Sequence, residues 1–307
     1  MQDSESRIDW TNLIFLVAAH LMAAAAVAYV ILVGISWSTA ALAALWLILC
    51  SLSITGGYHR LFAHRSYNCR SALRLLYLLF GAASVQNSAL KWASDHRRHH
   101  AQTDKESDPY NIRRGFWWAH MGWVFFKDPP NDFANVADLA RDRLVRFQHA
   151  CYAPLAIVFG GLLPALIAMA WGDWLGALLV AGSLRLVLQY HATFAVNSVA
   201  HTIGSRPYSR ATSARDSSLT ALITFGEGYH NFHHKFPSDY RNGFRLHQFD
   251  PTKWWVWVAA KAGLASNLRR VPIASVQSAL AATTAGGRAP RPPFDSSQAP
   301  RDQIPRR

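Results

Sequence analysis

Charge, cysteine and acid are all scarce in this 307-residue sequence. Only 16% of residues are Asp, Glu, Lys or Arg, where a soluble domain carries about 25%. With 51% hydrophobic residues, that shortage excludes a disordered chain and does not fit a soluble enzyme of this size. The three cysteines, Cys50, Cys69 and Cys151, are odd in number and far apart, which excludes a disulfide scaffold and a cysteine-based zinc site. Acidic residues number 18 against 31 basic ones, a net charge of +13. No nucleic-acid motif accompanies that charge, so nucleic acid is not the expected partner. No internal repeat is present either. Histidine, at 14 residues, is what the sequence has in excess.

The apolar residues fall into long runs. Residues 12–33, 39–58, 150–171 and 174–199 are each long enough to cross a hydrocarbon core roughly 30 Å thick, the last interrupted by Arg185. Two short connectors, 34–38 and 172–173, join them into two expected hairpins. The first run is too long for a cleavable signal and lacks a basic leader. Fourteen Lys and Arg lie in residues 58–150 and 15 in 202–307, with none in the connectors. The positive-inside rule then places the N-terminal segment (1–11), the middle segment and the C-terminal third in the cytoplasm. The fold expected is an all-α integral membrane protein with a cytoplasmic helical cap. Residues 71–90 read as a helix at the interface or covered by protein, and 251–268, with three tryptophans and two lysines, as an interfacial helix. The proline- and arginine-rich end, taken from residue 273 to 307, reads as a disordered tail.

The histidines cluster at the cytoplasmic ends of these runs. His59 and His64 follow the second; His96, His99 and His100 follow the interfacial helix; His230, His233 and His234 follow the fourth, where Asn197 and His201 exit. In each His-x-x-His-His cluster the three rings share a helix face and can be aimed at one point. His59 and His64 diverge by about 140° on a regular helix, so they serve different metals unless the helix departs from regular winding. His20, His120, His149, His191 and His247 stand apart and read as locally satisfied polar residues. Nine imidazoles exceed a tetrahedral zinc site and fit two metals with four or five nitrogens each. Soluble carboxylate-bridged di-iron proteins need two Glu-x-x-His motifs, and only Glu227–His230 has that spacing, so an all-histidine di-iron site is the better inference. Asp95 and Glu227 are candidate acceptors for ring N–H groups.

At these residues the sequence resembles the membrane acyl-CoA and acyl-lipid desaturases of the stearoyl-CoA desaturase type. The matching stretches run from Thr55 to His64, Asp95 to His100, Asp108-Pro109, Arg114 to Trp123, Asn197 to His201 and Gly226 to His234; the resemblance covers roughly residues 12–268, and the membrane domain is taken as 12–272. The resemblance implies two irons held by the nine histidines, with Asn197 contributing through water, and dioxygen as co-substrate. It implies a bent acyl tunnel with Gln86, Thr193 and Phe194 near the bend, and a long saturated acyl chain, carried as CoA thioester or lipid, desaturated at Δ9. Phe194 is a tryptophan in animal relatives, which bears on tunnel width. Counting back twelve and eight residues from His59 gives Leu47 and Ser51 as the expected tunnel floor. With no fused haem domain, electrons are expected from a ferredoxin or small haem protein and its reductase. A short Ala- and Arg-rich chain suggests a bacterial-type member in an inner membrane. A hydroxylase or acetylenase on the same scaffold is the alternative outcome.

Overall fold

A backbone in hydrocarbon must satisfy its own polar groups, and the apolar runs do so as helices. The computed structural model describes residues 7–127 and 132–285. In chain order the helices are α1 (Trp10–Leu32), α2 (Trp37–Ala63), α3 (Ser71–Ala82), α4 (Ala89–Gln102), α5 (Phe116–His120), α6 (Ala137–Ala140) and α7 (Arg143–Ala150). There follow α8 (Tyr152–Trp171), α9 (Trp174–Thr202), α10 (Ser218–Ile223), α11 (His230–Lys235), α12 (Pro251–Lys261) and α13 (Ile273–Ala285). Helices α1, α2, α8 and α9 are long and apolar enough to span a membrane. The residues read as one interfacial run, 71–90, hold α3 and the start of α4, and α12 begins at Pro251 as expected.

The two connectors meet at Asp173. Its carboxylate accepts hydrogen bonds from Tyr29 (3.0 Å) and Thr39 (2.6 Å), and it caps α9 through the Gly176 N–H. Arg185, the one charge inside α9, is 2% exposed. Its guanidinium donates to the carbonyls of Ala181, Ala83 and Gly160 and to Gln189 Oε1, all within 3.0–3.2 Å. It pins α9 to α8 and to the end of α3, which explains why a charge is tolerated there.

From Ser53 to Ala63, α2 is wound as a π-helix, each N–H reaching five residues back instead of four. Two tyrosine–glycine contacts lock this stretch against α3. A Cβ on Gly57 would lie 2.7 Å from Tyr77, and one on Gly81 would lie 2.2 Å from the ring of Tyr58. Only glycine permits that approach. Tyr58, Phe62, Tyr67, Tyr77 and Leu78 continue into a core with Val145 and Val256 beneath the cap. A two-stranded pairing, Asn68–Cys69 with Ala265–Ser266, ties the α2–α3 link to the segment after α12.

The end of the chain corrects one expectation. Structure does not stop at residue 273: Ile273–Ala285 is helical, and Val276 and Ala279 pack with Tyr208 and Phe232. The apolar spacing Ile273, Val276, Ala279, Leu280 gives this helix a face to bury, a signal masked by the composition that follows. Residues 286–307 of the expected tail lie outside the described residues.

Candidate metal centre

Nine histidines from α2, α4, α9 and α11 converge into two groups. The first holds His59, His64, His96, His100 and His233, the second His99, His201, His230 and His234, with the ligand atoms of each group within 4.8 Å of one another. His64 joins His59 in one group because of the π winding: the His64 N–H bonds to the His59 carbonyl at 3.0 Å. That bond rotates the i+5 ring onto the face of its partner and removes the divergence expected of a regular helix.

The two His-x-x-His-His clusters differ from expectation in the opposite sense. Neither aims three rings at one point. His96 and His100 face the first group and His99 the second, whereas His230 and His234 face the second and His233 the first. Positions i+3 and i+4 lie about 100° apart around a helix, so one cluster serves two neighbouring centres.

Nitrogen separations test whether this arrangement suits metal ions. Nε2 of His59 lies 3.0 Å from that of His233, His64 2.8 Å from His96, and His233 3.0 Å from His100. In the second group His234 lies 3.0 Å from His230 and 3.3 Å from His99. Two imidazole nitrogens bound at a right angle about 2.1 Å from one ion sit about 3 Å apart. His201 Nε2 is buried with no hydrogen-bond partner among the described residues. Burial, reinforced by neighbouring imidazoles, holds His64, His96, His100, His230, His233 and His234 well below the usual imidazole range. Neutral rings are the ligating form, and packing this many without an ion leaves lone pairs facing one another. The residues fit metal ions.

Acceptors behind the rings fix their orientation. Glu227 Oε2 lies 2.8 Å from His59 Nδ1, and the same carboxylate accepts from Arg60 (3.0 Å) and Asn242 (2.6 Å). Burial pushes the Glu227 carboxyl up, but His59 and Arg60 together hold it below its ordinary value. Arg60, 1% exposed, also pairs with the fully buried Asp250 at 3.0 Å. Asp108 Oδ1 lies 2.8 Å from His99 Nδ1, and Ser213 Oγ 2.7 Å from His201 Nδ1. Sequence reading assigned none of Arg60, Asp250, Asp108 or Ser213. Asp108 and Arg60 sat inside recognised stretches; Ser213 and Asp250 carry no local signal. Asp95 is held by Lys91 (2.6 Å) and Arg98 (3.1 Å) and lines the cavity described next.

A cavity of about 310 Å3 runs from the histidines down between the spans. His59 and His96 of the first group and His99 and His230 of the second form part of its wall, as does Asn197. Gln86, Thr193 and Phe194 line it together, with Gln86 Nε2 donating to Thr193 Oγ1 at 3.0 Å. Ser51 lines it too, but Leu47 does not. Leu47 lies one turn of about 6 Å further along α2, where Trp46, Cys50, Phe80 and Phe159 pack the interior closed. Among the other histidines, His20, His191 and His120 form a hydrogen-bonded chain (3.1 Å each) that ends on Ser198, and His149 bonds Ser88 (2.7 Å).

Fold and site together define a helical protein with four candidate membrane spans and two histidine groups suited to metal ions. A family model described as "Fatty acid desaturase" matches residues 35–266, and the chain belongs to that family. It is 45% identical over 74% of its length to "Probable acyl-CoA desaturase" of Schizosaccharomyces pombe. It is 44% identical over 75% to "Acyl-CoA desaturase 1" of Saccharomyces cerevisiae. To "Stearoyl-CoA desaturase 2" of Mus musculus it is 35% identical over 87% of this chain and 76% of that one. The chain spans about half the length of the two fungal relatives, 48% and 46%. The expectation of a bacterial-type chain is not borne out, since these relatives are fungal and animal, and the inner-membrane location drawn from it loses that support.

Proposed function

We propose that this protein is an oxygen-dependent acyl-CoA desaturase that introduces a Δ9 double bond into a long saturated chain, using two irons. One observation carries the reading: metal-suited histidines of both groups line one cavity whose wall also includes residues of the candidate spans. The names of the fungal relatives support the acyl-CoA substrate, and that of a further relative, "Delta(9)-fatty-acid desaturase fat-7" of Caenorhabditis elegans (36% identical over 84% of this chain), supports the Δ9 outcome.

His59, His64, His96, His100 and His233 would hold one iron and His99, His201, His230 and His234 the other, with Asn197, which lines the cavity beside them, contributing through water. A methylene carries no acidic proton, and the irons supply the oxidising power, derived from dioxygen, that its C–H bond requires. The chain's own residues do the rest. Asp108 accepts from His99 Nδ1, which fixes the tautomer and keeps Nε2 free to ligate, and the Glu227 carboxylate stands 2.8 Å from His59 Nδ1 behind that ring. The Gln86–Thr193 bond and the ring of Phe194 shape the bend that sets the reacting carbons beside the histidines. Ser51 forms the floor at the methyl end and the walls exclude water. The spans form two hairpins, with both termini and the histidine cap cytoplasmic. Electrons arrive from a ferredoxin or small haem protein and its reductase.

The test is fatty-acid profiling by gas chromatography of a desaturase-deficient host expressing this chain. The expected product is the Δ9 monounsaturated acid. A hydroxy acid or an alkyne would move the protein to the hydroxylase or acetylenase outcome, and an unchanged profile with iron bound would overturn the reading.

A further inference from the structure

Helix α7 divides its faces sharply. Val145 and Gln148 are fully buried, and Gln148 donates to Tyr58 Oη at 2.6 Å. On the opposite side Arg143, Arg146, Phe147 and Ala150 follow i, i+3, i+4, i+7 spacing, one continuous stripe. All four line a second cavity, of about 630 Å3, whose apolar floor includes Leu90 and Phe133. It shares no lining residue with the histidine cavity.

Three features of this stripe are unexplained by the reaction. Phe147 is 50% exposed, an unfavourable position for a large apolar ring in water. The carboxylates of this region are already engaged: Asp138 by Arg65 and Arg97, Asp142 by Arg74 and by capping α7. Arg143 and Arg146 therefore have no carboxylate partner among the described residues. Finally, α8, a candidate span, starts at Tyr152, two residues beyond Ala150, so the cavity stands at the membrane boundary if α8 crosses.

The geometry points to a binding site for an anionic phospholipid of the surrounding bilayer, with the headgroup phosphate between Arg143 and Arg146. The upper acyl carbons lie against Phe147, Leu90 and Phe133. Guanidinium groups match a phosphate in a planar, forked geometry, and their long stems reach from an apolar floor to a polar head. The site rests on the membrane reading of α8 given above. It does not depend on the substrate, because no group in it touches the histidine cavity.

The experiment is native mass spectrometry of the purified full-length protein, titrated with phosphatidylglycerol and, separately, with phosphatidylcholine of the same chains. The first phosphatidylglycerol should bind at a concentration at least about tenfold lower, two basic residues each favouring anionic lipid. R143Q/R146Q should bring the two lipids within about twofold, and R146Q alone should lie between. K105Q/R113Q, which removes as much charge at exposed positions elsewhere, should leave the preference intact. Equal preference in wild type and R143Q/R146Q would overturn the proposal. So would displacement of phosphatidylglycerol by an equal concentration of inorganic phosphate, which would make the site one for a free anion. Lipid binding is read without turnover, and product formation is measured on the same preparations. Lost preference with intact turnover rejects this site alone; intact preference with no turnover rejects the enzyme reading alone.

Discussion

The backbone N–H of His64 donates to the carbonyl oxygen of His59 across 3.0 Å, and their rings stand 4.8 Å apart, edge to face. This five-residue bond is the local event on which the first histidine group depends. A regular helix would send one ring away from the site, and the tyrosine–glycine packing of α2 on α3 holds the wider winding in place.

The proposed function divides the histidines into ligands and bystanders. Alanine at His64 or His100 in the first group, or at His201 or His234 in the second, should abolish product in membranes while leaving the protein inserted and at normal abundance. Alanine at His247, or at His149, which bonds Ser88 and packs on Phe133 away from both groups, should retain most activity. Product analysis with an immunoblot of the membrane fraction checks this. Similar losses in both sets would show the assignment to be wrong.

Basic residues dominate the two segments proposed to be cytoplasmic: 14 against 8 acidic in residues 58–150, and 15 against 6 in 202–307. An acidic donor protein should be steered there, and steering weakens as the Debye length falls from about 10 Å at 0.1 M salt to about 3 Å at 1 M. Turnover with donor limiting should drop steeply over that range. Turnover driven by a small chemical reductant should not, and equal salt dependence in the two assays contradicts docking by charge.

Ser51 lines the histidine cavity, and Leu47, one turn along α2, does not. Ser51→Trp should therefore shorten the preferred acyl chain by several carbons without moving the double bond, whereas Leu47→Trp should leave chain length unchanged. Chain-length profiling of products by gas chromatography decides between them. An unchanged profile in Ser51→Trp at full activity would remove Ser51 from the floor.

Asp216 caps α11 from a neighbouring loop, its carboxylate accepting from the N–H groups of Asn231 (2.7 Å) and Phe232 (3.0 Å). Burial pushes its pKa up from 3.8 to about 7, against the lowering effect of those two bonds. The unfolded chain releases this proton near pH 4, while the folded protein keeps it until about pH 7. Stability should thus fall as pH rises through that window and level off above it. Asp216→Asn should melt with a flatter dependence between pH 4 and 7 than the wild type. Parallel curves would contradict the shift.

Much of this was legible in the sequence because it is written in local spacing. The four candidate spans follow from run length, eight of the nine histidines from three clusters, and the ninth, His201, from its spacing to Asn197. Which histidines share a group was not legible, since that depends on a π-helix in α2 and on two clusters each feeding both groups. Glu227 was found because it sits three residues before His230. Asp250 and Ser213 reach the site only through tertiary packing, and no spacing announces them. The helix Ile273–Ala285 was hidden by the proline- and arginine-rich composition beyond it.

The most direct test of the central claim is iron per chain measured alongside oxygen-dependent alkene formation, across preparations loaded to different extents in mild detergent. The account predicts about two irons at saturation, as a set of five and four nitrogens requires, with turnover tracking the doubly loaded fraction. Full turnover in a preparation holding one iron per chain, or none, would contradict it.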